Sequence, residues 1–254
     1  MLDKQNIQKI QPYQRLAAYY DLLMDYIDYD IWVEDIEALV APHKPGKTWL
    51  DISCGNGSMA LRLARLGIDM TAVDLSEHMI DIARDKALSE NLIIDFSVGN
   101  MVNYSSEKEF DVIINLHDGL NYLLETADIE IFLKNTYALL KPGGILLFDV
   151  VTPLLCQTHF RGYREIFSDE KGGYERYTNY DPNSRLAESV FTLKTDITDT
   201  VDVESHIQKA YEQSEVEAFC QSSNFEWWQI LDDETLEQPT IKTERFIVIL
   251  RKSA

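Results

Sequence analysis

The stretch that most constrains the fold is residues 48–60, TWLDISCGNGSMA. A short β-prone run, 48–52, enters a turn holding Gly55 and Gly57, and an apolar helix-like stretch follows. Strand, glycine turn and helix together bring backbone close to a nucleotide-like ligand. Without a Cβ, Gly55 and Gly57 let backbone N–H groups approach that ligand and let φ turn positive. Asp51 closes the strand, where its carboxylate can accept hydrogen bonds from an amine or a hydroxyl. A second acid, Asp74, ends the next apolar run, 70–73, in a position suited to the two hydroxyls of a ribose. An acid here is a poor neighbour for a pyrophosphate and a good one for a cation. Cationic amino-acid end, ribose and no phosphate describe S-adenosylmethionine better than NAD. The turn alone does not decide, because residues 55–60 also fit the dinucleotide pattern G-x-G-x-x-A, and a strand-to-helix turn need hold no ligand.

The flanking pattern supplies the context. Residues 13–40 read as helix, with Leu16, Tyr19, Tyr20, Leu23, Met24 and Ile27 at three- and four-residue spacing, and a second piece carrying Trp32, Val33, Ile36 and Val40. Strands are expected at 69–73, 92–98, 110–116 and 145–151. Helices lie between them: one N-capped by Ser76, and one opened by Thr126 and stopped by Lys141-Pro142-Gly143-Gly144. Five strands alternating with helices make a doubly wound parallel sheet. From about residue 154 the texture changes to alternating segments near 174–180, 188–195 and 201–209, with turns at Lys171-Gly172-Gly173 and Asp181-Pro182-Asn183. Ser214-x-x-Glu217 reads as a capping box, and 225–231 and 245–251 as two last strands. The fold class is therefore α/β: a seven-stranded, mainly parallel, Rossmann-like sheet with a small antiparallel β insertion. The expected division is 1–153 with 211–254 as the cofactor-binding domain and 154–210 as the insertion.

Charge and cysteine usage narrow the partners. A net charge of −20 argues against a surface that clamps nucleic-acid phosphates or anionic lipid. Cysteines at 54, 156 and 220 have no short spacing, so neither a disulfide framework nor a zinc site is expected, and no metal. The N-terminal MLDKQNIQKIQPYQ lacks the apolar core of a signal peptide, and no run reaches membrane-spanning length, so a cytoplasmic protein, monomer or homodimer, is expected.

With these pieces in place the chain resembles the class I S-adenosylmethionine-dependent methyltransferases. The matching residues are Leu50-Asp51-Ile52-Ser53-Cys54-Gly55-Asn56-Gly57, Val73-Asp74-Leu75-Ser76 with Met79, Gly99-Asn100-Met101, Phe110-Asp111-Val112-Ile113 and Leu140-Lys141-Pro142-Gly143-Gly144. Tyr20-Asp21-x-Leu23-Met24, Tyr29-x-x-Trp32 and Asn121-Tyr122 resemble a bacterial small-molecule subgroup that carries a β insertion after strand five. The resemblance covers 13–150 well and 211–251 fairly, and 154–210 in pattern more than in residues. Two departures stand out: Ser53 replaces the first glycine of the usual turn, and Asn100 replaces an aspartate that accepts the adenine amino group, which an amide carbonyl can also do.

What the resemblance implies is methyl transfer from S-adenosylmethionine to N or O of a small-molecule acceptor. The implied cofactor set is Asp51, Ser53, Gly55, Asn56, Gly57, Asp74, Leu75, Met79, Asn100, Met101 and Leu116, with the two methionines against the adenine faces or in the core. Tyr20 would cover the methionyl end, unless it is core filler. His117 follows strand four where an acceptor should lie, and could remove its proton or simply face solvent. Tyr163, Tyr174, Tyr177 and Tyr180 line an acceptor pocket or fill the inner face of the insertion's sheet. Two rival readings stay open at this point: an NAD(P)-dependent oxidoreductase, and a non-catalytic cofactor-binding module.

Overall fold

Residues 112–114 and 145–148 are apolar on both sides of the pleat, a pattern that needs cover above and below. In the computed structural model, which describes residues 6–170, 172–194 and 200–254, both runs lie in the middle of a layered α/β sheet. In chain order the elements are β1 (Asn6–Lys9), α1 (Tyr29–Val40), β2 (Thr48–Asp51), α2 (Ser58–Arg65), β3 (Asp69–Asp74), α3 (Glu77–Ser89), β4 (Asp95–Val98) and β5 (Phe110–Asn115). Then come α4 (Thr126–Leu139), β6 (Leu140–Val151), β7 (Tyr163–Asp169), β8 (Gly172–Asp181), β9 (Leu186–Lys194), β10 (Thr200–Lys209), α5 (Gln213–Ser222), β11 (Trp227–Asp232) and β12 (Arg245–Arg251).

Seven strands pair in the order β11-β12-β6-β5-β2-β3-β4. All are parallel except β12, which runs antiparallel to both its neighbours. Alternation along the strands divides the core in two. Leu50, Ile113, Leu146 and Phe148 point to one face, where α4 and α5 bring Phe132, Val216 and Phe219. Trp49, Val112, Ile114 and Leu147 point to the other, where α1, α2 and α3 bring Ile36, Leu63 and Ile80. This is the doubly wound sheet read from the sequence.

A second sheet holds five strands in the order β1-β10-β9-β8-β7, antiparallel except for the β1–β10 pair. Two of its strands were not expected. The strand β7 was hidden because Ile166 is 65% exposed and the segment carries no apolar stripe. The strand β1 comes from far away in sequence, with Ile7 opposite Val201. Residues 6–9 therefore pair with the insertion rather than with the sheet to which the division at 153 assigns them. Lys171 of the expected glycine turn and Thr195 at the end of an expected strand lie outside the described residues.

Four local expectations are corrected. The helix over 13–40 is broken: single turns at Leu16–Tyr19 and Tyr20–Leu23 precede α1, whose N-cap Asp28 accepts from the Asp30 and Ile31 amides at 3.1 and 3.3 Å. An aspartate that caps a new helix competes with continuation of the old one. The capping box of α5 is Glu212 with Glu215, not Ser214 with Glu217, and α4 has Glu125, not Thr126, at its N-cap. The strand β6 starts at Leu140, so Lys141-Pro142-Gly143-Gly144 makes an irregular first register against β5 rather than a loop. Ser76 does cap α3, accepting from the Met79 amide at 3.3 Å.

Candidate functional site

Asp51, Asp74 and Asn115 end β2, β3 and β5, so these residues meet at the carboxyl edge of the sheet, where a parallel arrangement leaves a crevice. A cavity of about 640 Å³ opens there, inside the range of about 300–1,000 Å³ usual for small-molecule sites. Its floor is the glycine turn; its roof is the N-terminal segment, which contributes Tyr13 and Tyr20.

The turn is built by its own side chains. Gly55 sits at φ +52 and its amide donates to Asp74 Oδ2 at 2.8 Å, while the Ser76 amide donates to Asp74 Oδ1 at 2.9 Å. Both carboxylate oxygens thus organise backbone and keep lone pairs for a ligand. Buried Asn56 donates to Asp21 Oδ1 at 2.7 Å, tying the turn to the helical turn Tyr20–Leu23. Gly57 does not line the cavity: at φ +82 it begins α2, and a Cβ there would stand 3.0 Å from that of Ala83. Its glycine serves helix packing, and of the expected cofactor residues it alone is absent from the cavity wall. Among the other expected cofactor residues, Asp51, Ser53, Gly55, Asn56, Asp74, Leu75, Met79, Asn100, Met101 and Leu116 all line the cavity.

The electrostatics favour a cation. Asp51 is 3% exposed, and burial pushes its carboxyl up to about 7, opposed by the Ser53 amide and reinforced by the charge of Asp74. Asp74 is raised too, again by burial. No lysine or arginine is among the lining residues, whereas Asp51, Asp74 and Glu77 are. With acids and no lysine or arginine in its wall, this edge suits a cation better than a pyrophosphate. The Oγ of Ser53 and Nε2 of His117, both from lining residues, are buried without a hydrogen-bond partner. Leu75 lines the site yet is 70% exposed. Unpartnered polar atoms, an uncovered leucine and two acids fit a ligand that carries an amine, hydroxyls and an apolar ring system. S-adenosylmethionine is such a ligand, and when bound it supplies an electrophilic methyl group on a sulfonium sulfur.

His117 and Asp118 both have positive φ, +56 and +67. The Asp118 amide donates to Asp149 of β6 at 3.1 Å, and Arg245 of β12 pairs with both Asp118 and Asp149. This buried cluster pins the loop after β5. His117 packs edge-on against Tyr29 at 4.9 Å and at a tilt against Trp32 at 4.7 Å between ring centroids. Burial, with Arg245 adding, lowers its imidazole to about 4, so it stands neutral near pH 7. It also walls a smaller neighbouring cavity of about 230 Å³, whose other walls include Tyr26, Trp32, Asp118, Asp233 and Glu244.

Of the four insertion tyrosines, Tyr174 and Tyr180 are buried core, and Tyr163 and Tyr177 are exposed at 41% and 50%. None of them lines the larger cavity. Tyr13 and Tyr122 line it instead. No local signal marks Tyr13, because its hydrogen-bond partners, Tyr122 and Glu204 of β10, lie more than a hundred residues on.

The comparisons with known proteins agree with this geometry. Residues 50–144 match the family described as a methyltransferase domain. A relative from Geobacillus sp. (strain WCH70), provisionally named a methyltransferase, is 32% identical over 246 residues, covering 94% of this chain and 99% of its own. Two solved structures share the fold. An S-adenosylmethionine-dependent methyltransferase from Clostridium acetobutylicum ATCC 824 has a TM-score of 0.81 at 22% identity, covering 95% of this chain and 99% of its own. The sugar N-methyltransferase KedS8 from Streptoalloteichus sp ATCC 53650 has a TM-score of 0.73 at 19% identity, covering 92% and 93%. Among the described residues no helix is long and apolar enough to cross a membrane. Acid-lined cavity, glycine turn, strand order and relatives converge: the chain belongs to the class I S-adenosylmethionine-dependent methyltransferases.

Proposed function

We propose that this enzyme transfers the methyl group to N or O of a small-molecule acceptor. The observation that carries the reading is the roof: Tyr13 and Tyr20, on a segment held by Glu204 of the second sheet, line the edge that a protein-sized substrate would need open. Closure of this kind orients a small acceptor and keeps water from the reacting atoms. The fold shared with a sugar N-methyltransferase supports the same class of acceptor.

In this reading Asp51 receives the amino group of the cofactor, and Asp74 its ribose hydroxyls. Asn100, Met79, Met101 and Leu75 take the adenine, while Ser53, Gly55, Asn56 and Leu116 shape the methionyl end. Tyr20 covers that end. Neutral His117, between the two cavities, orients the acceptor with its unpartnered Nε2 rather than taking a full proton. The insertion, with residues 6–9, backs the N-terminal segment that walls the acceptor. A cytoplasmic setting without nucleic acid fits the net charge of −20.

The test is incubation of the protein with methyl-labelled S-adenosylmethionine and a cell metabolite extract, followed by mass spectrometry. Label should appear on a small amine or hydroxyl compound. Label found only on protein or nucleic acid overturns the reading.

A further inference from the structure

A row of four side chains, two buried and two half-buried, runs from the insertion into the roof of the cofactor cavity. Glu204 and His206 stand on the same face of β10 and are 0% and 3% exposed. Glu204 Oε2 lies 3.2 Å from His206 Nε2, His206 Nδ1 lies 3.0 Å from Tyr122 Oη, and Tyr122 Oη lies 2.7 Å from Tyr13 Oη. Only the tyrosines line the cavity.

The direction of every hydrogen bond in the row follows from its far end. Burial pushes the Glu204 carboxyl up, but the His206 ring and the Leu16 and Arg15 amides outweigh it and hold the group below its usual range. A carboxylate can only accept, so in its neutral form the ring carries its proton on Nε2 and leaves Nδ1 bare. Tyr122 then donates to Nδ1, and Tyr13 donates to Tyr122. The open end of the row is the Tyr13 oxygen, which keeps a lone pair towards the cavity. Carboxylate, imidazole and hydroxyl in this order have the logic of a hydrolase triad, in which the acid fixes the tautomer and the ring takes a proton.

A second observation points the same way. Tyr13 sits at φ +60, a conformation that a bulky residue adopts only when its surroundings hold it there. Glu204 holds it there, accepting from the Tyr13, Arg15 and Leu16 amides at 2.7, 2.6 and 2.9 Å. One carboxylate thus bends the backbone that presents the Tyr13 hydroxyl and orients the ring at the other end of the row.

We propose that the Tyr13–Tyr122 hydroxyl pair takes the proton of the methyl acceptor and relays it to His206, with Glu204 as positioning residue. The inference rests on the small-molecule reading above. As the acceptor heteroatom's lone pair forms its bond to the methyl carbon, the carbon–sulfur bond breaks with its electron pair on sulfur. The heteroatom's proton goes to Tyr13 Oη, Tyr13's own to Tyr122, and that of Tyr122 to His206 Nδ1. The ring becomes an imidazolium beside the Glu204 carboxylate and returns the proton to water once product leaves. The proton thus ends on His206 of the insertion, and not on His117.

The test combines one variant set with two kinds of readout. The probe for activity is methyl-labelled S-adenosylmethionine with the metabolite fraction that takes up label. The probe for binding is S-adenosylhomocysteine. Tyr122→Phe should slow transfer at saturating acceptor about 100-fold while KM and S-adenosylhomocysteine affinity stay within about three-fold. His206→Gly should fall similarly and recover with added imidazole; if it does not fold, Tyr122→Phe carries the test. Independently of activity, ¹⁵N NMR should find His206 of the unaltered chain protonated on Nε2, with Tyr122→Phe moving the Nδ1 resonance. Transfer at the unaltered rate in Tyr122→Phe, a parallel loss of cofactor affinity, or a proton on Nδ1 overturns the relay alone. No label on any small molecule from the unaltered chain overturns the small-molecule reading, and the relay with it.

Discussion

The Gly55 amide donates to Asp74 Oδ2 at 2.8 Å, joining the turn after β2 to the end of β3. The acid that suits a ribose therefore also shapes the glycine turn. Asp74→Ala should lose charge-assisted hydrogen bonds worth about 1.5–3 kcal/mol each. Titration calorimetry should find S-adenosylhomocysteine bound roughly ten- to several-hundred-fold more weakly. Unchanged affinity would mean that the cofactor does not lie at this edge.

Cofactor binding should depend on pH through Asp51. Its carboxyl, raised to about 7 by burial, titrates near 4 in the unfolded chain. The folded protein holds this proton more tightly, so the group's contribution to stability falls as pH rises from about 4 to about 7. An amine on the ligand demands the ionised form. Affinity for S-adenosylhomocysteine should therefore climb by up to about tenfold per pH unit below 7 and level off above it, with proton release on binding. Asp51→Asn should bind weakly with a flat profile; a profile equally steep in that variant would assign the titration elsewhere.

Arg245→Met should be strongly destabilising. Asp149 is 0% exposed and Asp118 is 21% exposed, and both rely on this guanidinium. Breaking a buried pair from one side costs about 3–5 kcal/mol. Urea unfolding should show that loss, and Arg245→Met with Asp149→Leu should recover much of it. A single variant as stable as the parent would show that water already screens the cluster.

Replacing residues 160–205 with a Gly/Ser linker should affect both halves of the site. The excised segment includes Glu204, which holds the amides of Tyr13, Arg15 and Leu16 over the cavity. S-adenosylhomocysteine affinity should fall at least about tenfold, and methyl transfer should vanish. Affinity within a few-fold would show that the N-terminal segment seats itself without the insertion.

The seven-stranded sheet was legible because its strands are covered on both faces and its helices carry one apolar stripe each. Asp51 and Asp74 were legible because a strand-end acid beside a glycine turn has few other uses. The α5 capping box slipped because serine is the better intrinsic N-cap, whereas Glu215 is held in place by Arg185, whose Nη2 lies 2.8 Å from its carboxylate. Gly57 looked like Gly55 in the sequence, and only the packing of α2 on α3 separates their uses. The row from Glu204 to Tyr13 was illegible in principle. Its members are ordinary residues at 13, 122, 204 and 206, and nothing local couples them.

The parallel pair β1–β10 sets Asn6 opposite Thr200 and Lys9 opposite Val203. On the ribosome, residues 6–9 emerge before every strand of the cofactor-binding sheet, yet their partner emerges after five of those strands. Loop closure over such a span is slow next to local pairing. The floor of the cavity can therefore assemble while its roof still waits. A nascent chain would bind cofactor loosely before it could shield a reaction, so competence for transfer is acquired only when the two most distant partners in the second sheet meet.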